Sequence, residues 1–195
     1  GPGAGRSSAR QRGVRKHRSV TDLGDDELER YARHIVLPQV GGIGQRRLKA
    51  ANVAIVGAGG IGSAAIPALA GAGVGGLTII DDDVVDRTNL QRQPIFRDDQ
   101  VGKPKAELAA EFVRGLNPHV EVRAIQERLN PTNAEALLAE HDLVLVGCDN
   151  FATRLVVGDT LTPLKIPLVS AAAVQFQGQV ALFRGWEAVK ACYRC

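Results

Sequence analysis

From residue 52 onward the chain alternates short, unbroken apolar runs with longer stretches whose apolar positions recur every three or four residues. The runs "NVAIVG" (52–57), "GLTIID" (76–81), "VEVRAI" (120–125) and "DLVLVG" (142–147) have the length and aliphatic content of buried strands, and "PLVSAAA" (167–173) and "QGQVALF" (177–183) read as two more. Between them the helical period predicts helices over about 61–73, 103–117, 130–141 and 151–162, with Pro104 suited to a first turn and Asn130 or Thr132 as a cap. Upstream, Thr21-Asp22 would cap an amphipathic helix through "LGDDELERYARHIVL", with Leu28, Tyr31, Ile35 and Val36 on one face. Pro38 and Gly41-Gly42 break that pattern, and 44–50 reads as a short helix leading into the first strand. Strand and helix in strict alternation predict an α/β fold: a doubly wound, mostly parallel sheet with helices on both faces and an N-terminal helical segment.

Composition changes this picture at one end. The 195 residues are 45% hydrophobic and 23% charged, which suits one soluble domain with a sizeable core. Aromatics are only 4%, so small and aliphatic side chains must fill that core. The formal net charge is +3, but residues 1–21 hold six basic residues (Arg6, Arg10, Arg12, Arg15, Lys16, Arg18) and no acid, leaving −3 for the remainder. Residues 1–21 are therefore expected to be a disordered basic tail, and 22–195 the folded unit. The tail reads as a solvated leader rather than a nucleic-acid contact. The longest apolar runs are strand-sized, as in "LVLV" at 143–146, so neither a membrane span nor a signal peptide is expected, and the expected compartment is the cytoplasm.

"VAIVGAGGIGSAAIPALAGAGVG" (53–75) carries G-x-G-x-x-G at Gly57, Gly59 and Gly62, after a strand and at the start of a helix. In that context the pattern marks a Rossmann-like phosphate site. Gly57 permits the tight turn, Gly59 lets backbone approach a phosphate, and Gly62 allows close helix–strand packing. The helix start then offers free N–H groups and a positive dipole end to an anion. No Gly-Lys-Ser/Thr follows, so this is not a Walker A loop. Asp81 ends the second strand, 24 residues after Gly57, about where an acid meets ribose hydroxyls. To this point a nicotinamide dinucleotide and an adenosine nucleotide fit equally well.

"IIDDDVVDRTNLQRQ" (79–93) tips the balance. Asp81 and Asp83 are followed by Arg87, Asn89, Gln91, Arg92 and Gln93, and "GKPKAE" adds Lys103 and Lys105. Hydride transfer leaves a dinucleotide diphosphate intact and has no general need for extra cations there. Nucleotidyl transfer does need them, because charge builds on α-phosphate oxygens and on departing pyrophosphate. Guanidinium grips such oxygens in bidentate fashion. Asp149, in "VGCDN" at the tip of a later strand, would add a second carboxylate at the sheet edge where ligands bind. Arg87, Arg97, Asp98 and Asp99 read as surface ion pairs.

Taken together, the motifs "RYARHIVL" (30–37), "VGAGGIGS" (56–63), "DDDVVDRTNLQRQ" (81–93), "VGKPKAE" (101–107), "LNPHV" (116–120), "CDNFATR" (148–154), "QGQVALF" (177–183) and "CYRC" (192–195) resemble the ThiF/MoeB/HesA family, bacterial relatives of ubiquitin-activating enzymes. The resemblance runs from about Asp25 to Cys195. It implies ATP-dependent adenylation of the C-terminal Gly-Gly carboxylate of a ubiquitin-like sulfur-carrier protein in molybdopterin or thiamine synthesis. By the same resemblance Gly60 and its neighbours touch the nucleotide and Asp81 binds ribose. Asn89, Arg92 and Lys105 handle phosphates, and Asp149 holds Mg²⁺ with Asn150 beside it. Arg33 resembles an arginine that reaches the ATP of a partner subunit, which implies a homodimer. The sequence departs from the family at Val146, often Asp, at Cys148, often Thr, and at Gln175 and Gln177, where many relatives carry Arg and Glu; these bear on carrier specificity.

Three cysteines in such a chain argue against a disulfide framework. Cys192 and Cys195 look like half of a four-cysteine structural Zn²⁺ site whose second pair, in the family, lies much later, so the chain is read as truncated. Cys148 reads as a packing residue, and His34, His119 and His141 as surface or capping residues. Three readings stand beside adenylation of a carrier: a nicotinamide-dependent oxidoreductase, a tRNA-activating relative, and a fragment that binds nucleotide or partner without turnover. No nucleic acid is expected as a partner of the favoured reading.

Overall fold

Asn52–Val56 forms β1, an interior strand of the sheet in the computed structural model, which describes residues 22–195. The expected disordered tail lies outside the described residues. The other strands are β2 (Gly76–Ile80), β3 (Glu121–Ile125), β4 (Leu143–Val146), β5 (Leu168–Val174) and β6 (Gln177–Phe183). They make one sheet in the order β3-β2-β1-β4-β5-β6, with parallel pairing throughout except the antiparallel β5–β6 hairpin. This is the doubly wound sheet that the alternation of runs predicts.

The apolar runs are unbroken because both faces are covered. Val53, Ile55, Leu77 and Ile79 point to one side and pack on Ile66 and Ala70 of α4 (Gly60–Ala72) and on Ala109 and Val113 of α5 (Lys105–Leu116). Ala54, Val56, Ile80, Val144 and Val146 point to the other and meet Leu138 of α6 (Ala134–Leu138) and Val157 and Leu161 of α7 (Phe151–Leu164). Each fully buried Ile or Leu here contributes about 1.5–3 kcal/mol. Ala70, Ala106, Ala109 and Ala110 are all buried, and small residues of this kind bring helices close to the sheet.

The N-terminal segment departs from expectation. In place of one amphipathic helix there are α1 (Asp25–Arg30) and α2 (Ala32–Ile35), separated at Tyr31, whose φ of −101° and ψ of 13° leave the helical region. Gly24, and not Asp22, is the N-cap, while Thr21 lies outside the described residues. Leu28 and Val36 are exposed, at 45% and 72%. The segment is anchored by polar groups instead. Tyr31 is buried and its hydroxyl accepts from Asn117 Nδ2 at 2.8 Å, while Glu27 pairs with Lys49 of α3 (Gly41–Ala50) at 2.6 Å. Burial opposes ionisation of Glu27, but the Lys49 ammonium and the Gly24 N–H outweigh it and hold its pKa below the usual value.

The helix expected over 130–141 is also shorter. Asn130 Oδ1 accepts from the N–H groups of Thr132 and Asn133 and from the Thr132 hydroxyl, so Asn130 caps a turn, and only Ala134–Leu138 is α-helical. His141 follows and is buried, so it is a capping group and not a surface one: its Nδ1 faces Leu138 O at 3.2 Å. No helix among the described residues is long and apolar enough to cross a membrane.

Candidate active site

The strand order reverses between β1 and β4, and in open α/β sheets the cleft beyond the carboxyl ends of such strands is the ligand site. A crevice of about 920 Å³ opens there, within the range of small-molecule sites. Gly57, Gly59, Gly60, Asp81, Asn89, Arg92, Lys105, Asp149 and Asn150 all line it. These come from four separate stretches of chain, which the fold brings to one edge.

The glycines divide into two kinds. Gly57 has φ of +96°, and a Cβ there would lie 2.9 Å from the Cys148 nitrogen. A Cβ on Gly62 would overlap the Gly57 carbonyl. Both are demanded by the protein's own packing, and Gly62 does not line the crevice. Gly59 and Gly60 differ: a Cβ on either would approach Gln93 or Arg92 no closer than 3.8 Å. The protein itself has room for a side chain there, so what those glycines leave open is the approach of a ligand to the N-terminus of α4.

Asp81 follows β2 and spans two backbone donors. Its Oδ2 accepts from Ala58 N at 2.7 Å and its Oδ1 from Asp83 N at 2.8 Å. Burial raises its pKa, with the two N–H groups opposing that rise. Each oxygen keeps a second lone pair, so two vicinal hydroxyls can still donate to it. Beside it Lys105 is 4% exposed and lies 3.2 Å from Asp83.

Asn89 and Arg92 sit on a 3₁₀ turn, Arg87–Arg92, started by Asp86, whose side chain accepts from Thr88 N at 2.7 Å. Three residues per turn put positions i and i+3 on the same side. Accordingly Arg92 Nη2 donates to Asn89 Oδ1 at 2.9 Å, and both line the crevice, with Arg92 against Gly60. Asn150 is the N-cap of α7, accepting from Thr153 N at 3.1 Å. Asp149 is exposed beside it, and its carboxylate makes no hydrogen bond or ion pair among the described residues.

Some residues escaped the sequence reading. Arg154 is buried, and its guanidinium donates to Cys148 O at 2.8 Å, to Ser170 Oγ at 3.0 Å and to Ala171 O at 2.7 Å, which ties the Asp149 loop to β5. It stands four residues after Asn150, one turn into a predicted helix, and that spacing was the available signal. Arg128, from the loop after β3, also lines the crevice and donates to Asp82 at 2.9 Å. Its position just past a strand's carboxyl end could have marked it.

Arg33 is exposed on α2 and does not line this crevice. Cys148 lines it, but burial raises the thiol pKa, consistent with a packing residue and not a thiolate nucleophile. For a cation, Asp149 has free oxygens, and Asp81, Asp82 and Asp83 also gather within 4.8 Å. Such carboxylates fit Mg²⁺, which takes one or two of them together with phosphate oxygens and water.

The expectation of no disulfide is corrected: Cys192 and Cys195 are bonded to each other, because a turn of three residues brings their Cα atoms to 5.1 Å. In that form they offer no thiolate and do not fit Zn²⁺. Among the described residues Asp81, Asp82 and Asp83 are the one group of three or more such side chains whose ligand atoms gather within 4.8 Å.

The sequence and the architecture both have counterparts. The ThiF family matches residues 31–195. The SAMP-activating enzyme E1 of Haloferax volcanii is 47% identical over 169 residues, which is 87% of this chain and 62% of that protein. The molybdopterin-synthase adenylyltransferase of Escherichia coli is 43% identical over 176 residues, 90% of this chain and 70% of that one. A crystal structure of Escherichia coli MccB with AMPCPP and MccA superposes with a TM-score of 0.78 at 28% identity, over 89% of this chain and 54% of that one. The chain thus spans well under the full length of several proteins it matches. On its motifs, its sheet order and these matches, the chain belongs to the ThiF family.

Proposed function

We propose that this chain forms the nucleotide-binding part of an adenylyltransferase that activates the C-terminal Gly-Gly carboxylate of a ubiquitin-like sulfur-carrier protein, of the kind serving molybdopterin or thiamine synthesis. The observation that carries this reading is the convergence of Asn89, Arg92, Lys105 and Asp149 on the glycine turn in one crevice. Support comes from relatives named as adenylyltransferases and from a structural neighbour that binds AMPCPP.

ATP lies with its ribose on Asp81 and its phosphates over Gly59, Gly60 and the start of α4. A carboxylate oxygen of the carrier attacks the α-phosphorus in line. The bond from that phosphorus to the bridging oxygen breaks, and pyrophosphate leaves with the electron pair. No protein nucleophile is required, so positioning and charge neutralisation supply the rate. Arg92 and Lys105 meet the developing charge, and Asn89 donates its amide. Mg²⁺ held by Asp149 would offset phosphate charge. Arg33 of one copy would serve the nucleotide of the other in a homodimer, a role suited to an exposed residue outside its own crevice. If reduced, Cys192 and Cys195 would supply two of the four thiolates of a structural Zn²⁺ site. A cytoplasmic location belongs to the same reading.

The test is isotope exchange of pyrophosphate into ATP, with and without a Gly-Gly-ended carrier. Carrier-dependent exchange is expected, and Arg92→Ala should abolish it while leaving the circular dichroism spectrum unchanged. Undiminished exchange in folded Arg92→Ala would refute the assignment. Because the chain spans 62% of one relative, ATP binding is measured beside exchange: binding without exchange would identify a nucleotide-binding part that needs further chain for turnover.

A further inference from the structure

Gln93 closes the 3₁₀ turn that carries Asn89 and Arg92, with φ of −125° and ψ of 69° turning it inward. It is 2% exposed, lines the crevice, and lies against Gly59. Its Nε2 donates to Asn89 Oδ1 at 3.1 Å. Its Oε1 is the one buried side-chain polar atom among the described residues with no partner.

These facts are linked by donor–acceptor logic. Arg92 has only donors, so the Asn89 atom facing it must be Oδ1. With Oδ1 in place, the Gln93 atom facing Asn89 must in turn be Nε2. Gln93 Oε1 is then left bare. A glutamine present only to fill the core would turn its amide over to satisfy that oxygen, since a buried acceptor without a partner costs stability. Here turning over would set two oxygens against each other. The bare oxygen is the signature of an orientation imposed by Arg92 through Asn89. The beneficiary is the Asn89 amide nitrogen: both of its hydrogens are left without a protein partner among the described residues and are available to the crevice.

Resting on the nucleotide reading above, we propose that Gln93 is a positioning residue, which locks the Asn89 carboxamide so that its NH₂ donates to the phosphates of ATP. It acts through Asn89 and touches no phosphate itself. Its effect should therefore be felt at the phosphate end of the ligand and not at the base or ribose.

The experiment compares ATP and adenosine binding by titration calorimetry to the full chain, to Gln93→Met, which is near-isosteric and lacks the donor, and to Gln93→Glu, which replaces the donor with an oxygen. Gln93→Met should weaken ATP binding roughly tenfold, the effect expected for one hydrogen bond to a charged group. Adenosine affinity should stay within about twofold and the melting temperature should hold. Gln93→Glu should weaken ATP further, since its carboxylate repels both Asn89 Oδ1 and the phosphates. In an Asn89→Ala background, Gln93→Met should add less than about twofold, because residues acting through one another are not additive. Unchanged ATP affinity in Gln93→Met, an equal loss for adenosine, or full additivity with Asn89→Ala would each overturn the proposal, as would unfolding of both single variants. A parent chain that binds no ATP overturns the nucleotide reading itself, and that result is recognised before any variant is made.

Discussion

Gly59 and Gly62 look alike in the sequence, yet the structure separates them. Gly62 has no space for a Cβ, because the Gly57 carbonyl occupies it; Gly59 has space, with Gln93 Nε2 3.8 Å away as the nearest neighbour. Gly62→Ala should therefore destabilise the fold by roughly 3 kcal/mol or more through forced repacking of α4 against β1, readable as a lower urea midpoint. Gly59→Ala should leave stability within about 1 kcal/mol and still cut ATP affinity at least tenfold, because the lost space belongs to the ligand. Equal effects of the two on stability would show that Gly59, too, serves only packing. Asp81 illustrates a second lesson at this scale. One oxygen of its carboxylate closes the glycine turn through the Ala58 N–H and the other holds the Asp83 N–H, so on the proposed reading the group that would meet a ribose also shapes the turn.

Among the elements, α6 and β2 are joined by one buried imidazole. His141 Nε2 lies 2.8 Å from the Thr78 hydroxyl of β2 and Nδ1 lies 3.2 Å from Leu138 O at the end of α6. With Nδ1 donating to the carbonyl, Nε2 accepts from the hydroxyl and the ring is neutral. Burial lowers its pKa below the ordinary 6.5, against the opposing pull of Leu138 O, Glu140 and Asp142 and with a contribution from Arg123. The unfolded chain therefore takes up a proton that the folded chain resists. Stability from this group is complete above about pH 6.5 and declines as pH falls below that value, levelling off once pH drops beneath the folded pKa. Unfolding free energies measured between pH 7.5 and 5 should show this slope, and His141→Gln should flatten it. An unchanged slope in the variant would place the titrating group elsewhere. The site's own elements are fixed differently: the 3₁₀ turn by Asp86, and the Asp149 loop by Arg154.

For the whole molecule, strand positions and the site were largely legible, and the reasons are physical. The runs of β1, β2 and β4 read as buried strands because helices cover both faces of the sheet there; β3, an edge strand, alternates exposed and covered residues, and β6 at the other edge is largely exposed. That the glycine turn, Asp81, Lys105, Asp149 and Asn150 would share one crevice was legible because each follows a strand or opens a helix at the same edge, whereas Asn89 and Arg92 were marked by the family resemblance. What was not legible depends on contacts distant in sequence. Of the expected apolar face, Tyr31 is buried and bonded to Asn117, 86 residues away, while Leu28 and Val36 are exposed, an outcome set by that distant contact and not by the helical period. Arg154 and Gln93 matter through the side chains and carbonyls they hold; spacing could place Arg154 near the site, but not show which groups either residue holds. The expectation about cysteines failed for another reason: compartment arguments weigh the count, while a three-residue turn sets the distance.

The central claim is that this crevice is shaped for a triphosphate and not for an intact dinucleotide, and competition between ATP and NADH for the purified chain in the presence of Mg²⁺ tests it most directly. The account predicts that ATP binds, that a large excess of NADH fails to displace it, and that Lys105→Ala weakens ATP at least tenfold. Tight NADH binding with no binding of ATP would contradict it.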